Sequence, residues 1–207
     1  MDACLRFKKF DLMMDFYHEM QLDGVKPSSI TCGIIIKMYG LTGRLDKAFE
    51  MYEEMKRENI PLTSVTYGCL INVCVKNDNI TRALELYKEI EENDIEMNTV
   101  LYTTLIKVYS KLKNMNKVME IFNKMKKDKN LSPNNITYNS VIDSCIKNDE
   151  ISLAEKLFTE MKKNGLKPDI ITFSTLIKGC LKNQELNKAV EYLLGMKSFN
   201  ITPDEVL

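Results

Sequence analysis

The chain of 207 residues is poor in the residues that usually mark a metal site, a disulfide framework or a membrane span. It has a single histidine, His18, and its six cysteines include no CxxC pair, so no zinc site of Cys and His ligands is expected. It has no tryptophan, and no apolar run approaches the about 18 residues that a membrane helix needs. We therefore predict no metal, no cofactor and no membrane insertion.

The chain also lacks an excess of charge of either sign, since 29 Lys and Arg residues balance 29 Asp and Glu residues. A global field that attracts nucleic acid is therefore absent, but a local basic stripe is compatible with this total. Four cysteines, Cys4, Cys74, Cys145 and Cys180, fall in apolar helical runs, where a free thiol behaves as a small hydrophobe. This pattern favours a reducing compartment.

The five prolines reveal an internal repeat. All of them lie in short turn segments: GVKPS, NIPLT, LSPNN, GLKPD and NITPD. Each of these segments except the last, and the related segment DIEMN, precedes a similar apolar stretch, and the stretches start at Ser29, Ser64, Thr99, Asn135 and Ile170. These starts are 35, 35, 36 and 35 residues apart, and the extra residue falls in the lysine-rich segment before Leu131. A period of this length is typical of a solenoid.

Each unit has the hydrophobic pattern of two helices. Tyr67, Leu70, Ile71 and Cys74 follow the spacing of one buried helix face, and a second apolar helix pattern follows the polar break KNDN. Such hairpins bury their apolar faces only by stacking. We predict an all-α, right-handed superhelical solenoid of antiparallel helical hairpins, divided into a partial repeat 1–28, repeats 29–63, 64–98, 99–134, 135–169 and 170–204, and the start of a further repeat at 205–207. The absence of a polar cap at either end suggests a piece of a longer solenoid.

Three columns recur within the second helix of each unit. A polar residue that we expect to be the N-cap recurs as Asp11, Asp46, Thr81, Asn116, Ser152 and Asn187. Ser152 and Glu155 have the spacing of a capping box, and the apolar residue before each cap suits a hydrophobic staple. A small residue recurs at Ala48, Ala83, Ala154 and Ala189, and a late apolar residue recurs at Met20, Met55, Ile90, Met125, Met161 and Met196. Both of these columns indicate packing between helices.

The repeat closely resembles the pentatricopeptide repeat. The unit NITYNSVIDSCIKNDEISLAEKLFTEMKKNGLKPD, from Asn135 to Asp169, has the period, the aromatic at Tyr138, the Ala and Met positions and the closing Pro-Asp of that family. The tetratricopeptide repeat, the nearest rival, has a 34-residue period and a Trp-containing pattern, whereas this chain has no tryptophan and keeps a period of 35.

The resemblance implies binding of single-stranded RNA, with one base read by each repeat. In similar proteins a residue near the start of the first helix and the last residue of the same repeat read the base together. These base-reading pairs are Gly33 with Thr63, Gly68 with Asn98, Thr103 with Asn134, Asn139 with Asp169, and Ser174 with Asp204. Aliphatic residues of successive repeats clamp the base, which corresponds here to Ile30, Val65, Val100, Ile136, Ile171 and Val206.

The resemblance also implies a basic residue near phosphate at the end of each first helix. These positions are Arg6, Lys76, Lys111, Lys147 and Lys182, whereas Leu41 departs from the pattern. The family's base code assigns A, U and G, in the 5′ to 3′ direction, to the third, fourth and fifth complete repeats. Gly33 and Gly68 offer no side chain, so their repeats hold only the RNA backbone or contact a protein.

Two other classes of function compete with RNA recognition. A protein–protein interaction scaffold, for example in an organellar ribosome, uses the same extended surfaces. An enzyme is not expected, because the zinc deaminase that some relatives carry needs a histidine followed by a CxxC pair, and no glycine-rich phosphate loop is present. The resemblance places the protein in mitochondria or plastids, in RNA stabilisation, processing or translation.

Overall fold

The computed structural model describes residues 1–202, which form twelve α-helices and no strand. The predicted reading residue Asp204 and the predicted clamp residue Val206 lie outside the described residues. The described residues divide into two compact units, residues 1–104 and 105–202. No helix within residues 1–202 is long and apolar enough to cross a membrane.

In the first unit the helices alternate along the chain between the first helix and the second helix of a repeat. They are α1 (Asp2–Arg6), α2 (Phe10–Leu22), α3 (Ser29–Leu41), α4 (Leu45–Arg57), α5 (Ser64–Lys76), α6 (Ile80–Glu92) and the beginning of α7 (Thr99–Lys111). The first helix of each repeat packs against its own second helix, as α3 does against α4 and α5 against α6. It also packs against the first helix of the next repeat, as α3 does against α5.

The second unit repeats this arrangement. It contains the end of α7, then α8 (Met115–Lys127), α9 (Asn135–Lys147), α10 (Ile151–Lys163), α11 (Ile170–Lys182) and α12 (Leu186–Ser198). Helix α9 contacts α10 and α11, and α10 also contacts α11. The link from 128 to 134 is one residue longer than the link from 164 to 169, so the extra residue of this repeat lies between helices.

The predicted apolar faces form the core. Tyr67, Leu70, Ile71 and Cys74 are all buried on α5. The small residues of the second helices are buried as well, and so are the late apolar residues from Met55 onwards; Met20 is only half-buried. Aromatic rings connect neighbouring repeats edge to face, as Phe158 of α10 does with Phe173 of α11, whose ring centroids are 5.6 Å apart.

The predicted N-caps of the second helices are wrong by two residues. Helix α10 begins at Ile151, so Ser152 is already inside the helix and makes no capping box with Glu155. The residues that precede the helices are Lys9, Arg44, Asn79, Asn114, Glu150 and Glu185, and a capping side-chain bond is present at Asn79 and Asn114. The prediction is wrong because the link between the two helices of a repeat is short. A residue in the left-handed region, such as Asp149 with φ of 60°, reverses the chain, and the helix starts two residues later, at the next apolar residue.

The cysteines behave as buried hydrophobes with one exception among those predicted. Cys74, Cys145 and Cys180 are buried, whereas Cys4 is half-exposed, and Cys32 is buried as well. Burial raises the pKa of the Cys145 thiol to about 12 and that of Cys74 to about 11, so both stay protonated at neutral pH.

Two glycines permit close approach between neighbouring first helices. A Cβ atom added at Gly40 of α3 would lie 2.2 Å from Cγ2 of Val73 on α5. A Cβ atom added at Gly179 of α11 would lie 2.4 Å from Cδ1 of Ile146 on α9. In contrast, a Cβ atom added at Gly33 meets nothing within 4 Å. Gly40 and Gly179 therefore serve packing, and Gly33 does not.

Replacing Gly40 with alanine is expected to lower the free energy of unfolding by about 1–3 kcal/mol, because α3 and α5 must separate or Val73 must change rotamer. The matched control is Gly33→Ala in the same helix, which is expected to raise it by about 0.5–1 kcal/mol through the lower backbone entropy of the unfolded chain. Urea unfolding followed by circular dichroism measures both. Equal effects of the two substitutions would contradict this distinction between the glycines.

Candidate nucleic-acid interface

The second residue of every complete first helix is an exposed aliphatic side chain. The members of this apolar column are Ile30, Val65, Val100, Ile136 and Ile171, with exposed fractions between 54% and 69%. They are the predicted clamp residues within the described chain. An exposed β-branched side chain thus recurs at the same helical position of each repeat, although most other apolar residues of these helices are buried.

The two predicted reading residues of a repeat occupy two distinct kinds of position. The first is the fifth residue of the first helix, and the second is the residue immediately before the next first helix, which caps it. Oδ1 accepts a hydrogen bond from the backbone N–H three residues ahead in each of three caps: Asn98 from Leu101 at 2.8 Å, Asn134 from Thr137 at 3.0 Å, and Asp169 from Thr172 at 2.9 Å. Thr63 faces Thr66 across longer distances of 3.5 Å.

Asn139 and Asp169 are in direct contact across two first helices. The Asn139 Nδ2 donates to Oδ1 of Asp169 at 3.0 Å, and the Thr172 hydroxyl donates to Oδ1 of Asn139 at 2.6 Å. Asn139 is only 7% exposed, and Thr172 is fully buried. The structure therefore brings together the one predicted reading pair that lies wholly within the second unit and within the described residues, and it adds Thr172 to that pair.

The hydrogen bonds around Asp169 favour its charged form. Partial burial raises the pKa of this carboxyl, but bonds donated by the backbone N–H of Thr172 and by the Asn139 amide outweigh that effect and hold the pKa below its ordinary value of 3.8. Asp169 is therefore an ionised acceptor at neutral pH.

Thr103 and Ser174 use their hydroxyl protons within their own helices. The Thr103 Oγ1 donates to the carbonyl of Thr99 at 2.7 Å, and the Ser174 Oγ donates to the carbonyl of Ile170 at 2.5 Å. A hydroxyl oxygen that donates its proton in this way can still accept a hydrogen bond. Thr103 lies in the first unit and its predicted partner Asn134 in the second, and the partner of Ser174 is Asp204, so their pairing stays a prediction.

The two glycine positions leave open space at the reading position. An added Cβ atom meets nothing within 4 Å at Gly33, and at Gly68 it meets only Cγ1 of the clamp residue Val100, at 3.9 Å. With no side chain at position 68, Asn98 donates its Nδ2 to the Ser64 hydroxyl at 2.9 Å. The distance of 3.9 Å from Gly68 to Val100 shows that a clamp residue lies beside the reading position of the preceding repeat.

Three of the predicted phosphate-binding cations form ion pairs with carboxylates. Arg6 pairs with Asp2 at 2.7 Å, Lys147 with Asp143 at 2.6 Å, and Lys182 with Asp149 at 2.7 Å. The pairs are exposed, so each contributes little to stability and is readily exchanged for another anion. Lys76 and Lys111 are exposed at the ends of α5 and α7.

Three family models match the chain. Residues 65–206 match the pentacotripeptide-repeat region of PRORP, residues 30–76 match the PPR repeat family, and residues 1–25 match the PPR repeat. The first of these matches alone covers more than half of the chain. The chain belongs to the pentatricopeptide-repeat family.

Solved pentatricopeptide-repeat structures share the fold. PPR10 in complex with an 18-nt psaJ RNA element superposes with a TM-score of 0.75 at 19% identity, over 98% of this chain and 34% of that chain. PPR10 from maize gives 0.69 at 19% identity, over 98% and 33%. The PPR domain of Arabidopsis thaliana protein-only RNase P 1, in complex with tRNA, gives 0.67 at 16% identity, over 83% and 90%. The predicted all-α hairpin-repeat fold is confirmed.

The chain spans about a third of the length of the PPR10 chains that it matches. Comparison with curated protein sequences gives no match. Within residues 1–202, no group of three or more His, Cys, Asp or Glu side chains is arranged to hold a metal ion.

The sequence did not predict two kinds of residue at this pentatricopeptide-repeat surface, a threonine that bonds both reading residues and two carboxylates that pair with lysines. Thr172 joins both reading residues, and its signal was present in the threonine that recurs at the third helical position: Thr31, Thr66, Thr137 and Thr172. Asp143 and Asp149 pair with predicted phosphate ligands. Asp143 precedes Lys147 by four residues, a spacing visible in the sequence, whereas Asp149 meets Lys182 only through packing of successive repeats.

Replacing Asp169 with alanine is expected to cost about 0.5–2 kcal/mol of unfolding free energy at pH 7, because α11 loses its cap. The folded-state pKa of Asp169 lies below its ordinary value of 3.8, so its charge stabilises the fold above about pH 4 and that stabilisation is lost as pH falls through the folded value. The difference between wild type and variant should shrink accordingly in urea unfolding between pH 7 and pH 3.

The matched control for this pH dependence is Asn134→Ala. Asn134 caps α9 through the same bond to the third residue ahead but does not titrate. Its loss should have the same cost at every pH. A pH-independent cost for Asp169→Ala would contradict the charged cap.

Proposed function

We propose that the protein binds single-stranded RNA along its first helices, with one base per repeat. The observation that carries the proposal is the apolar column: each complete first helix exposes an aliphatic residue at its second position, beside the predicted reading positions. Flat bases clamp between such side chains, and the adjacent polar groups distinguish their edges. The RNA complexes of PPR10 and of the PPR domain of PRORP1, which have the same fold, support this proposal.

The polar groups of the last three complete repeats differ in what they offer. Asn139 retains one amide proton and one carbonyl lone pair beyond its bonds to Asp169 and Thr172, which complements the N3–H and a flanking carbonyl of uracil. Ser174 donates its proton within its own helix, so its oxygen can accept from the N1–H and N2 amino groups of guanine. Thr103, whose proton bonds the carbonyl of Thr99, lies at the position that the family's code assigns to adenine. These properties agree with the A-U-G preference implied by the family's code. The repeats of Gly33 and Gly68 then hold the strand with less selection.

We further propose that the phosphates of the bound strand approach Lys76, Lys111, Lys147 and Lys182, with Arg6 in the partial repeat. In the second unit the RNA phosphates displace Asp143 and Asp149 from their lysines. This exchange of one exposed anion for another costs little. Phosphate contacts supply affinity but no base selection.

We place this activity in mitochondria or plastids, in stabilisation, processing or translation of transcripts. Family resemblance supports the location. Catalysis is not part of the proposal for this chain, because RNA binding alone accounts for the features of its first helices.

Replacing Asn139 with threonine is expected to move the preference of the fourth complete repeat from U toward G, because a hydroxyl replaces the amide beside the retained Asp169. Titrations of both proteins with RNAs that contain A-U-G or A-G-G at the centre measure the change. Each mismatched base is expected to cost about 1–3 kcal/mol, by analogy with other specific nucleic-acid sites.

The control is Ser140→Thr, one residue further along the helix, where the hydroxyl bonds the carbonyl of Ile136. It should leave the preference unchanged. An unchanged preference in Asn139→Thr would remove Asn139 from the reading site, and absence of RNA binding by the wild type would overturn the proposed function.

Replacing Asp149 with asparagine is expected to strengthen RNA binding at low salt, because Lys182 is released for phosphate. The slope of log K against log salt should stay at the wild-type value, because the strand contacts Lys182 in both proteins and the substitution removes only the competing carboxylate. The matched control is Glu50→Gln, which breaks the pair with Lys47 on the second helix α4 and makes the same change in net charge. The two pairs have nearly equal exposures, 53% and 62% for Lys182 and Asp149 against 54% and 61% for Lys47 and Glu50.

This salt experiment also separates RNA binding from the protein–protein scaffold. Binding that depends on phosphate weakens steeply as salt rises. If Asp149→Asn and Glu50→Gln have equal effects, Lys182 does not contact phosphate. If the wild type shows no RNA binding at any salt concentration, the scaffold becomes the better account.

A further inference from the structure

We propose that Thr172 is a specificity-determining positioning residue that holds the Asn139 carboxamide in one orientation and thereby selects uracil over cytosine. The inference rests on the proposed function, since it concerns how one repeat distinguishes two pyrimidines. Thr172 belongs to the first helix of the following repeat, so a repeat's base preference depends on a side chain outside the predicted reading pair.

The contacts of Asn139 assign the two ends of its carboxamide. The Asp169 carboxylate is ionised and can only accept a hydrogen bond, so the group that faces it at 3.0 Å must be the Nδ2 amino group. A reversed amide would bring its carbonyl oxygen against the carboxylate, with repulsion in place of a hydrogen bond. The Asn139 Oδ1 therefore faces Thr172.

The single proton of the Thr172 hydroxyl completes the arrangement. Its oxygen lies 2.6 Å from the Asn139 Oδ1 and 2.9 Å from the Asp169 Oδ1, and it accepts the backbone N–H of Asp169 at 3.2 Å. The shorter contact joins two oxygens, of which only the hydroxyl has a proton. Asp169 already receives the Thr172 N–H and the Asn139 amide. The proton therefore lies between Thr172 and Asn139.

Amide orientation is the property that distinguishes uracil from cytosine. Uracil presents a donor at N3, which needs the carbonyl of asparagine, whereas cytosine presents an acceptor at N3, which needs the amino group. An asparagine that rotates by 180° serves either base. Reversal here would break the bonds to both Asp169 and Thr172 in a site where Asn139 is only 7% exposed.

Thr66 provides a matched position without this role. It is fully buried at the third position of α5, as Thr172 is on α11, and it faces the cap residue Thr63. The reading position of the preceding repeat is Gly33, which has no side chain to orient. A general effect of losing a buried hydroxyl near a cap should therefore appear in Thr66→Val, and the orienting effect only in Thr172→Val.

The experiment uses the full chain and two RNAs that differ only by U or C at the centre of A-U-G. The wild type should prefer U on the order of tenfold, as a one-hydrogen-bond difference predicts. Thr172→Val should bring the U/C ratio close to one, and Thr66→Val should leave it at the wild-type value. Thr172→Ser keeps the donor and should restore the preference, whereas Thr172→Cys, of similar size to serine but a weak donor, should not.

Thermal unfolding shows whether Thr172→Val destabilises the fold. If it does, the serine and cysteine variants still test the role of the Thr172 hydroxyl. A U/C ratio that stays at the wild-type value in both Thr172→Val and Thr172→Cys, in a protein that binds RNA, overturns the role of Thr172 and leaves the proposed function intact. A ratio that falls equally in Thr66→Val also overturns it. Failure of the wild type to bind either RNA instead overturns the proposed function.

Discussion

The start of each first helix imposes the constraint on which the rest of the structure depends. The first backbone N–H groups of a helix need acceptors outside it, and the last residue of the preceding repeat supplies one. That residue is always short and polar: Ser28, Thr63, Asn98, Asn134 or Asp169. Four of these are also predicted reading residues, so the proposed base recognition at these positions is limited to side chains that can begin a helix. Asp169 both caps α11 and accepts a hydrogen bond from Asn139, the residue with which it is predicted to read a base.

The net charge of zero does not show how charge is distributed, because basic residues on the first helices are balanced by nearby carboxylates. Three of the predicted phosphate ligands pair with carboxylates, but these pairs lie in water at helix ends. An exposed ion pair is weak and exchanges its anion readily. The carboxylates keep the basic residues balanced in the free protein, and phosphate can take their place. A net charge of zero is therefore compatible with a cation column on the first helices.

The sequence predicted the fold well, but it placed several details wrongly. Helical periodicity identified the buried face of Tyr67, Leu70 and Ile71, because burial on a helix repeats at a fixed angle. The caps of the second helices were misplaced at residues such as Ser152, since composition does not show that a left-handed residue such as Asp149 already reverses the chain. The three ion pairs were not anticipated either. Base preferences of the individual repeats stay predictions.

The sequence by itself determined the repeat and the two helices in each unit, because these follow from local spacing. Only the tertiary structure decided which side chains meet between repeats. Asn139 contacts Thr172, which is 33 residues away in the next repeat, and Lys182 contacts Asp149 across 33 residues. The tertiary structure also separated the packing glycines Gly40 and Gly179 from the open Gly33. These distinctions depend on the distance between packed helices and on side-chain direction, which no local pattern contains.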